Sequence, residues 1–230
     1  MNRLLAIETS AESCSVALEV GSEVRERFEH APMKHAELLL PMVSSLLADA
    51  GLRAGDLDAI AFGRGPGSFT SLRIGIGVVQ GLAWGADVGV VPVSSLAAVA
   101  QEACGKWAGE GASPTIVAAM DARMQEVFHA RFAIGADGRV APLDEERVSP
   151  PSNVTCDGPW IAAGNGFERY EPLAAMAKSA DACLPGIWPR ASVVLELARA
   201  WLHDNQPLPA AMAQPVYVRN NVAEKPPAQA

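Results

Sequence analysis

Positive charge is thin along this sequence. Its 230 residues carry 18 Lys and Arg against 26 Asp and Glu, a net charge of −8, and the cations are scattered without forming a run. Counterion release, the term that drives nucleic-acid binding, needs clustered Lys and Arg. If the chain serves a nucleic-acid pathway, another protein must grip the nucleic acid. Cysteine is equally sparse. Cys14, Cys104, Cys156 and Cys183 lie far apart with no C-x-x-C pair, an arrangement that suits reduced, mostly buried thiols rather than a disulfide frame or a zinc site. The histidines, His30, His35, His129 and His203, form no i, i+4 pair, so no metal site is expected. No apolar run is long enough to span a bilayer, and Glu8 interrupts the apolar stretch in MNRLLAIETS, which therefore does not read as a signal peptide. The expectation is a cytoplasmic protein without membrane contact.

What the chain does contain is apolar residues and turn formers. Half of it is apolar, with 20 Gly and 17 Pro, the composition of a soluble α/β protein with many tight turns. The length suffices for a proper core, as one large domain or two small ones. LLAIET (4–9) reads as a buried strand ending in an acid. SCSVALEV (13–20) and EVRERFE (23–29) alternate apolar and polar residues around Gly21-Ser22, as hairpin strands do. A helix over about 36–50, a strand at 59–62, a helix over about 69–84, a strand at 88–93 and a helix from about Ser95 to Cys104 follow.

After the glycine-rich stretch 105–114, the opening pattern returns. TIVAAMDA (115–122) ends in Asp121 as the first strand ends in Glu8. EVFHARF (126–132) alternates, a Gly135–Gly138 turn leads into RVAPL, and WIAAGNG (160–166) runs into a second glycine loop. Helices fit at about 170–178 and 191–203, and the last residues, AEKPPAQA, read as disordered. A β-β-β-α-β-α unit used twice predicts an α/β protein of the actin-like, sugar-kinase-like (ASKHA) architecture, in which two ribonuclease-H-like lobes related by duplication face a nucleotide cleft. The expected lobes are 1–104 and a smaller, degenerate 105–230, with the tail free to pack back on the first.

The stretch IAFGRGPGSFTSLRIGIGVVQGLAWG (60–85) raises the question of what its glycines are for. The P-loop pattern fails because Gly67 is followed by Ser68 and Phe69, with no lysine. G-x-G-x-x-G fails on glycines at 63, 65 and 67, and G-x-S-x-G fails because Ser68 directly follows Gly67. Amides at the start of the next helix could still receive an anion. Within that helix Gly77, Gly81 and Gly85 recur every fourth residue on one face. Two of them at interior positions lose roughly 2 kcal/mol relative to Ala. Close approach of another backbone is a reason to keep them, whether on the protein's own sheet or helix or on another molecule.

The preceding helix, HAELLLPMVSSLLADAG, is apolar over about 200° of its circumference, more than the ~100° stripe one core contact needs. Pro41 is best tolerated there close to the helix start. Such a helix is buried on both sides or forms a protein interface. The glycines then serve contact rather than phosphate. The expected contact surface comprises Leu39, Met42, Val43, Leu46 and Leu47 of the first helix, with Phe69, Leu72, Arg73, Ile76, Gly77, Gln80, Gly81 and Trp84 of the second. A homodimer of the chain alone, with a partner competing for the same surface, is the corresponding expectation.

LLAIETSAESCSVAL, HAELLLPMVSSLL, AFGRGPGSFTSLRIGIGVVQGLA, VPVSSLAAVA, MDARMQEVF and PVYVRNNVAEKP together resemble the bacterial TsaB (YeaZ) family. The resemblance runs nearly end to end; GRGPGSFTSLRIGIGVVQGLA is its most specific piece, and about 135–200 is generic. It implies an actin-like-fold subunit of the machinery that makes threonylcarbamoyladenosine beside the anticodon of tRNAs. That subunit is non-catalytic: it binds and activates its catalytic paralogue TsaD, the ATPase TsaE joins them, and tRNA is reached only through the complex.

The residues agree with missing chemistry. Where the catalytic paralogue carries metal-binding histidines after its counterpart of VPV, this chain has Ser94-Ser95-Leu96-Ala97-Ala98-Val99, and Ser94 or Ser95 caps the following helix. The position of the sugar-kinase catalytic Asp falls in Phe62-Gly63-Arg64, without a general base. Likeness to actin-like ATPases puts Glu8-Thr9-Ser10 and Asp121-Ala122-Arg123 at the two phosphate loops and Gly164-Asn165-Gly166 where adenosine would rest. Two readings stand: a weak ATP or ADP site, or a vestige that caps strands and turns, since neither loop has the glycine that lets amides approach phosphate. No cofactor and no metal is the expectation, and a stand-alone ATPase or small-molecule kinase is the rival function. Arg64 is either a solvated loop arginine or a partner contact.

Overall fold

The computed structural model describes residues 3–107, 109 and 114–219. The chain begins with an antiparallel meander of β1 (Arg3–Glu8), β2 (Ser13–Val20) and β3 (Glu23–His30). It continues through α1 (His35–Asp49), β4 (Ala59–Gly63), α2 (Phe69–Ala86), β5 (Gly89–Val93) and α3 (Ser95–Lys106). β4 runs parallel to β1 and β5 parallel to β4, giving the sheet order β3-β2-β1-β4-β5. β1 alternates its burial between two layers: Leu5 and Ile7 meet Leu39, Leu46 and Val79 on one face, while Leu4 and Ala6 face the opposite layer. β3 closes one edge with the mostly exposed, charge-rich sequence EVRERFEH, which discourages strand addition there.

The second half repeats the plan with β6 (Thr115–Asp121), β7 (Val127–Ile134), β8 (Val140–Pro142), β9 (Arg147–Ser149), β10 (Trp160–Ala163), α4 (Gly166–Arg169), α5 (Glu171–Met176), β11 (Ala182–Leu184) and α6 (Ala191–Asp204). Its sheet order is β8-β7-β6-β10-β11, with β9 also on β7. β6 and β7 are antiparallel, while β10 and β11 follow β6 in parallel. The two halves thus share one strand order and one pattern of directions, the duplicated actin-like architecture expected from the sequence. β9, β11 and α4 are absent from the sequence reading because three or four residues carry no legible period.

The helices do not respect the boundary drawn at 104/105. α3 belongs by sequence to the first unit, yet Leu96, Val99, Ala100 and Ala103 pack on Ile116 and Phe128 of the second sheet. α6 belongs to the second unit, yet Val194, Leu195 and Ala198 supply the opposite layer of the first sheet, against Leu4, Ala6 and Ala61. Each lobe therefore completes its core with a helix from the other half. The tail expected to be disordered lies outside the described residues, as does part of the 105–114 stretch.

Three of the glycines in the loop and early α2 mark where this packing is tightest. A Cβ on Gly63 would overlap the Glu8 carboxylate, one on Gly67 would overlap the Ser10 carbonyl, and one on Gly75 would overlap the Thr9 hydroxyl. The Ser68 amide donates to the Ser10 carbonyl at 2.7 Å. Glu8 is fully buried and receives the Ser10 amide at 2.6 Å and the Ser95 hydroxyl at 2.9 Å. Ser94 caps α3 by accepting from the Ala97 amide at 3.0 Å. The end of β1, the loop after β4 and the start of α3 are thereby fixed to one another.

Two consequences are measurable. Gly67→Ala and Gly75→Ala force backbone or a short side chain apart, and each is expected to destabilise the chain by about 1–3 kcal/mol in denaturant titration. Burial raises the Glu8 pKa, partly opposed by its hydrogen bonds. A carboxyl whose folded pKa is raised contributes stability that is fully present below the unfolded value and lost as pH rises through the folded one. Glu8→Gln can keep both contacts without a charge. Its melting temperature relative to wild type should therefore climb as pH rises above the ordinary carboxyl value of about 4.3; a difference independent of pH would contradict the assignment.

Candidate docking face and interlobe cleft

α2 is amphipathic in an unusual sense: its outward face has little side chain on it. Ile76, Val79 and Ala83 point into the first core, and Leu72 is likewise fully buried. The opposite side presents Arg73, Gly77, Gly81, Trp84 and Gly85, all exposed. Among the described residues, a Cβ on Gly77, Gly81 or Gly85 would meet nothing within 4 Å, so no described contact requires any of the three glycines. Trp84 is 77% exposed at the end of this stripe. An indole held in water beside a furrow without side chains is an uncovered apolar surface.

α1 lies beside α2 and adds Leu40, Pro41, Ser44 and Ala48 to the exposed surface, with Leu40 at 50%. Pro41 sits well inside α1 rather than near its start. The expected contact surface is corrected here. Leu39, Met42, Val43, Leu46 and Leu47 are core residues, as are Leu72 and Ile76, because α1 covers the sheet with one side and packs on α2 with another. Gln80 is half-buried and turns inward, donating to the Ala213 carbonyl at 2.7 Å. Phe69 (44% exposed), Arg73, Gly77, Gly81 and Trp84 remain on the surface.

The cleft between the lobes contains a cavity of about 280 Å³, and Ser10, Asp121, Ala122, Arg123 and Asn165 are among its lining residues. Glu8 and Thr9 are buried at the junction, the Thr9 hydroxyl donating to the Ser71 carbonyl at 3.0 Å. Gly164 and Gly166 close on the Ala119 carbonyl. The charged groups around the cavity are already engaged. Asp121 pairs with Arg169 at 3.0 Å and Arg123 at 3.5 Å and accepts the Tyr170 hydroxyl at 2.6 Å. Burial and the Asp121 carboxylate push that hydroxyl up to about 12, which keeps it a donor. Arg123 also pairs with Glu12 across the lobes. The Asp121 amide donates to Asn165 Oδ1 at 2.9 Å.

Arg64 is not simply a solvated loop arginine: it forks onto Glu146 of the second lobe at 2.9 and 3.2 Å, and Glu146 also accepts from Ser94. Residues 216–219 also line the cavity. PVYVRN carries no helical or strand period that would announce such a position.

Relatives of known name resemble the chain over most of its length. The family model for TsaD, tRNA N6-adenosine threonylcarbamoyltransferase, matches residues 29–163. The tRNA threonylcarbamoyladenosine biosynthesis protein TsaB of Escherichia coli K12 is 38% identical, over 97% of this chain and 97% of its own. That of Haemophilus influenzae is 37% identical, over 96% and 95%. The structure of YeaZ from Pseudomonas aeruginosa superposes with a TM-score of 0.85 at 40% identity, covering 94% of this chain and all of that one. The chain belongs to the TsaB (YeaZ) family.

Proposed function

We propose that the chain is a non-catalytic, dimerising and activating subunit of the tRNA threonylcarbamoyladenosine machinery. Family membership supports a role in that biosynthesis. The finer reading is that the exposed face of α1 and α2 binds the catalytic subunit TsaD, that TsaE joins the pair, and that the complex carries out N6-threonylcarbamoylation of the adenosine next to the anticodon. Alone, the chain pairs with itself through the same face. tRNA is held by the complex, in keeping with the net charge of −8 and scattered cations.

The observation that carries this reading is the empty stripe of Gly77, Gly81 and Gly85 beside exposed Trp84. Each interior glycine gives up about 1 kcal/mol of helix stability with no contact among the described residues to justify it. A partner backbone seated in the furrow would supply that justification.

The rival reading, a stand-alone ATPase or small-molecule kinase, draws on the 280 Å³ cavity. Against it, Glu8 is buried under two hydrogen bonds, and Asp121, Arg123 and Arg219 are already paired. Weak ATP or ADP binding fits this arrangement better than turnover does. Tight ATP binding and hydrolysis by the purified chain would favour the rival.

The glycine stripe separates folding from assembly. Gly81→Ala should raise the melting temperature by about 2–4 °C through helix propensity while weakening association with TsaD. Gly81→Leu should lower that affinity more than about tenfold with the fold intact. Unchanged binding by both variants in titration calorimetry would rule out the face.

A further inference from the structure

Residues 205–219 belong to neither duplicated unit. From the end of α6, Leu208 pairs with Val90 on the free edge of β5, with N–O distances of 2.8 and 2.9 Å. Ala213 is buried in the first core, held through its carbonyl by Gln80 of α2. The Val216 amide donates to the Arg64 carbonyl at 2.8 Å. The chain then crosses between the lobes. Val216 and Val218 line both the 280 Å³ cavity and a second groove of about 620 Å³, while Tyr217 and Arg219 line only the first. Val218 packs against the core of the second lobe. Arg219 ends the crossing on the turn between β6 and β7, donating to the Ala122 carbonyl at 3.0 Å and pairing with Glu126.

One residue of the α2 face sets the middle of this strap. Arg73 donates from Nε to the Tyr217 hydroxyl at 3.0 Å, and its guanidinium lies 3.9 Å from the centre of the Phe69 ring. Phe69 and Tyr217 are themselves in ring contact at 5.4 Å. Arg73 is exposed and shares the outward side of α2 with Gly77 and Gly81. The sequence Arg73, Tyr217, Val218, Arg219, Glu126 is thus a continuous chain of contacts from the outer surface of the first lobe to the hairpin of the second.

We propose that residues 213–219 are an interlobe latch and that Arg73 is the positioning residue that sets its tension. With Arg73 on Tyr217, the strap holds the β6–β7 turn against the first lobe. A group that takes the guanidinium for itself, a carboxylate above all, withdraws the donor from Tyr217 and slackens the hold on Ala122 and Glu126. The latch is a property of the isolated chain. Only its control from outside rests on the docking reading, where a partner's acidic side chain at Arg73 would transmit its arrival to the cleft. Two further ion pairs, Arg64–Glu146 and Arg123–Glu12, also bridge the lobes, so the strap's share is an experimental question.

Amide hydrogen exchange on the full-length isolated chain, at matched oligomeric state, measures it. Arg73→Ala alters an exposed side chain and leaves the core intact. It should speed exchange at Ala122 and Glu126, whose amides bond within the β6–β7 turn, by about tenfold. Tyr217→Ala should match it, Arg219→Ala should equal or exceed it, and Tyr217→Phe should fall between these and wild type. If Arg73→Ala changes exchange only around residues 69–73 and leaves the β6–β7 turn at the wild-type rate, the latch is not set from α2 and the proposal fails. Because TsaD is absent and the oligomeric state is matched, that failure would leave the docking reading to the Gly81 variants.

Discussion

The close approach of the β1–β2 loop to the start of α2 is the constraint on which the rest of the structure depends. The Ser10 carbonyl, the Thr9 hydroxyl and the Glu8 carboxylate occupy the space that side chains at positions 67, 75 and 63 would otherwise fill. A Cβ at 67 or 75 would push the start of α2 away from the β1–β2 loop, and with it the core packing of Ile76 and Val79. Because α2 is fixed at this end, its inner face is committed to the sheet and its outer face is left for other uses. The same residue type then serves two opposite ends within one helix: Gly75 is enclosed, whereas Gly77, Gly81 and Gly85 are open.

The two lobes are held together more firmly than a simple tandem duplication would require. α3 and α6 are exchanged between the sheets. Arginine–glutamate pairs bridge them at Arg64–Glu146 and Arg123–Glu12, and the segment 213–219 threads between them. In this architecture the cleft is where a ligand would be expected. Here its walls are largely satisfied by the chain's own groups: Asp121 by two arginines and a tyrosine, Arg123 also by Glu12, and Arg219 by Glu126. The outer surface of α1 and α2, by contrast, carries exposed apolar side chains in Leu40, Phe69 and Trp84.

Much of this was legible in the sequence because it depends on period and punctuation. The strands from 13–20 to 88–93 alternate or run apolar between turn residues, and the return of the pattern at 115–122 announced the duplication. The four-residue glycine spacing marked an open helix face. What the sequence could not say was which apolar residues of α1 stay at the surface. Leu39, Val43 and Leu46 look the same in a one-dimensional stripe whether they meet a partner or their own sheet, and the sheet takes them. Glycine is more informative, since an open Cβ position inside a helix costs helix propensity without a packing contact among the described residues. The return of the tail to the first lobe was foreseeable, but its crossing between the lobes, the exchange of α3 and α6, and the Arg64–Glu146 fork are long-range pairings that local period does not report, separated by 82 residues in the case of the fork.

The central claim is that the face made by α1 and α2 is a protein contact surface. Light-scattering mass across a gel-filtration peak tests it most directly, for the chain alone and then mixed with TsaD from the same cell. The account predicts a homodimer that gives way to a mixed complex as TsaD is added. A monomer whose mass is indifferent to TsaD would contradict it.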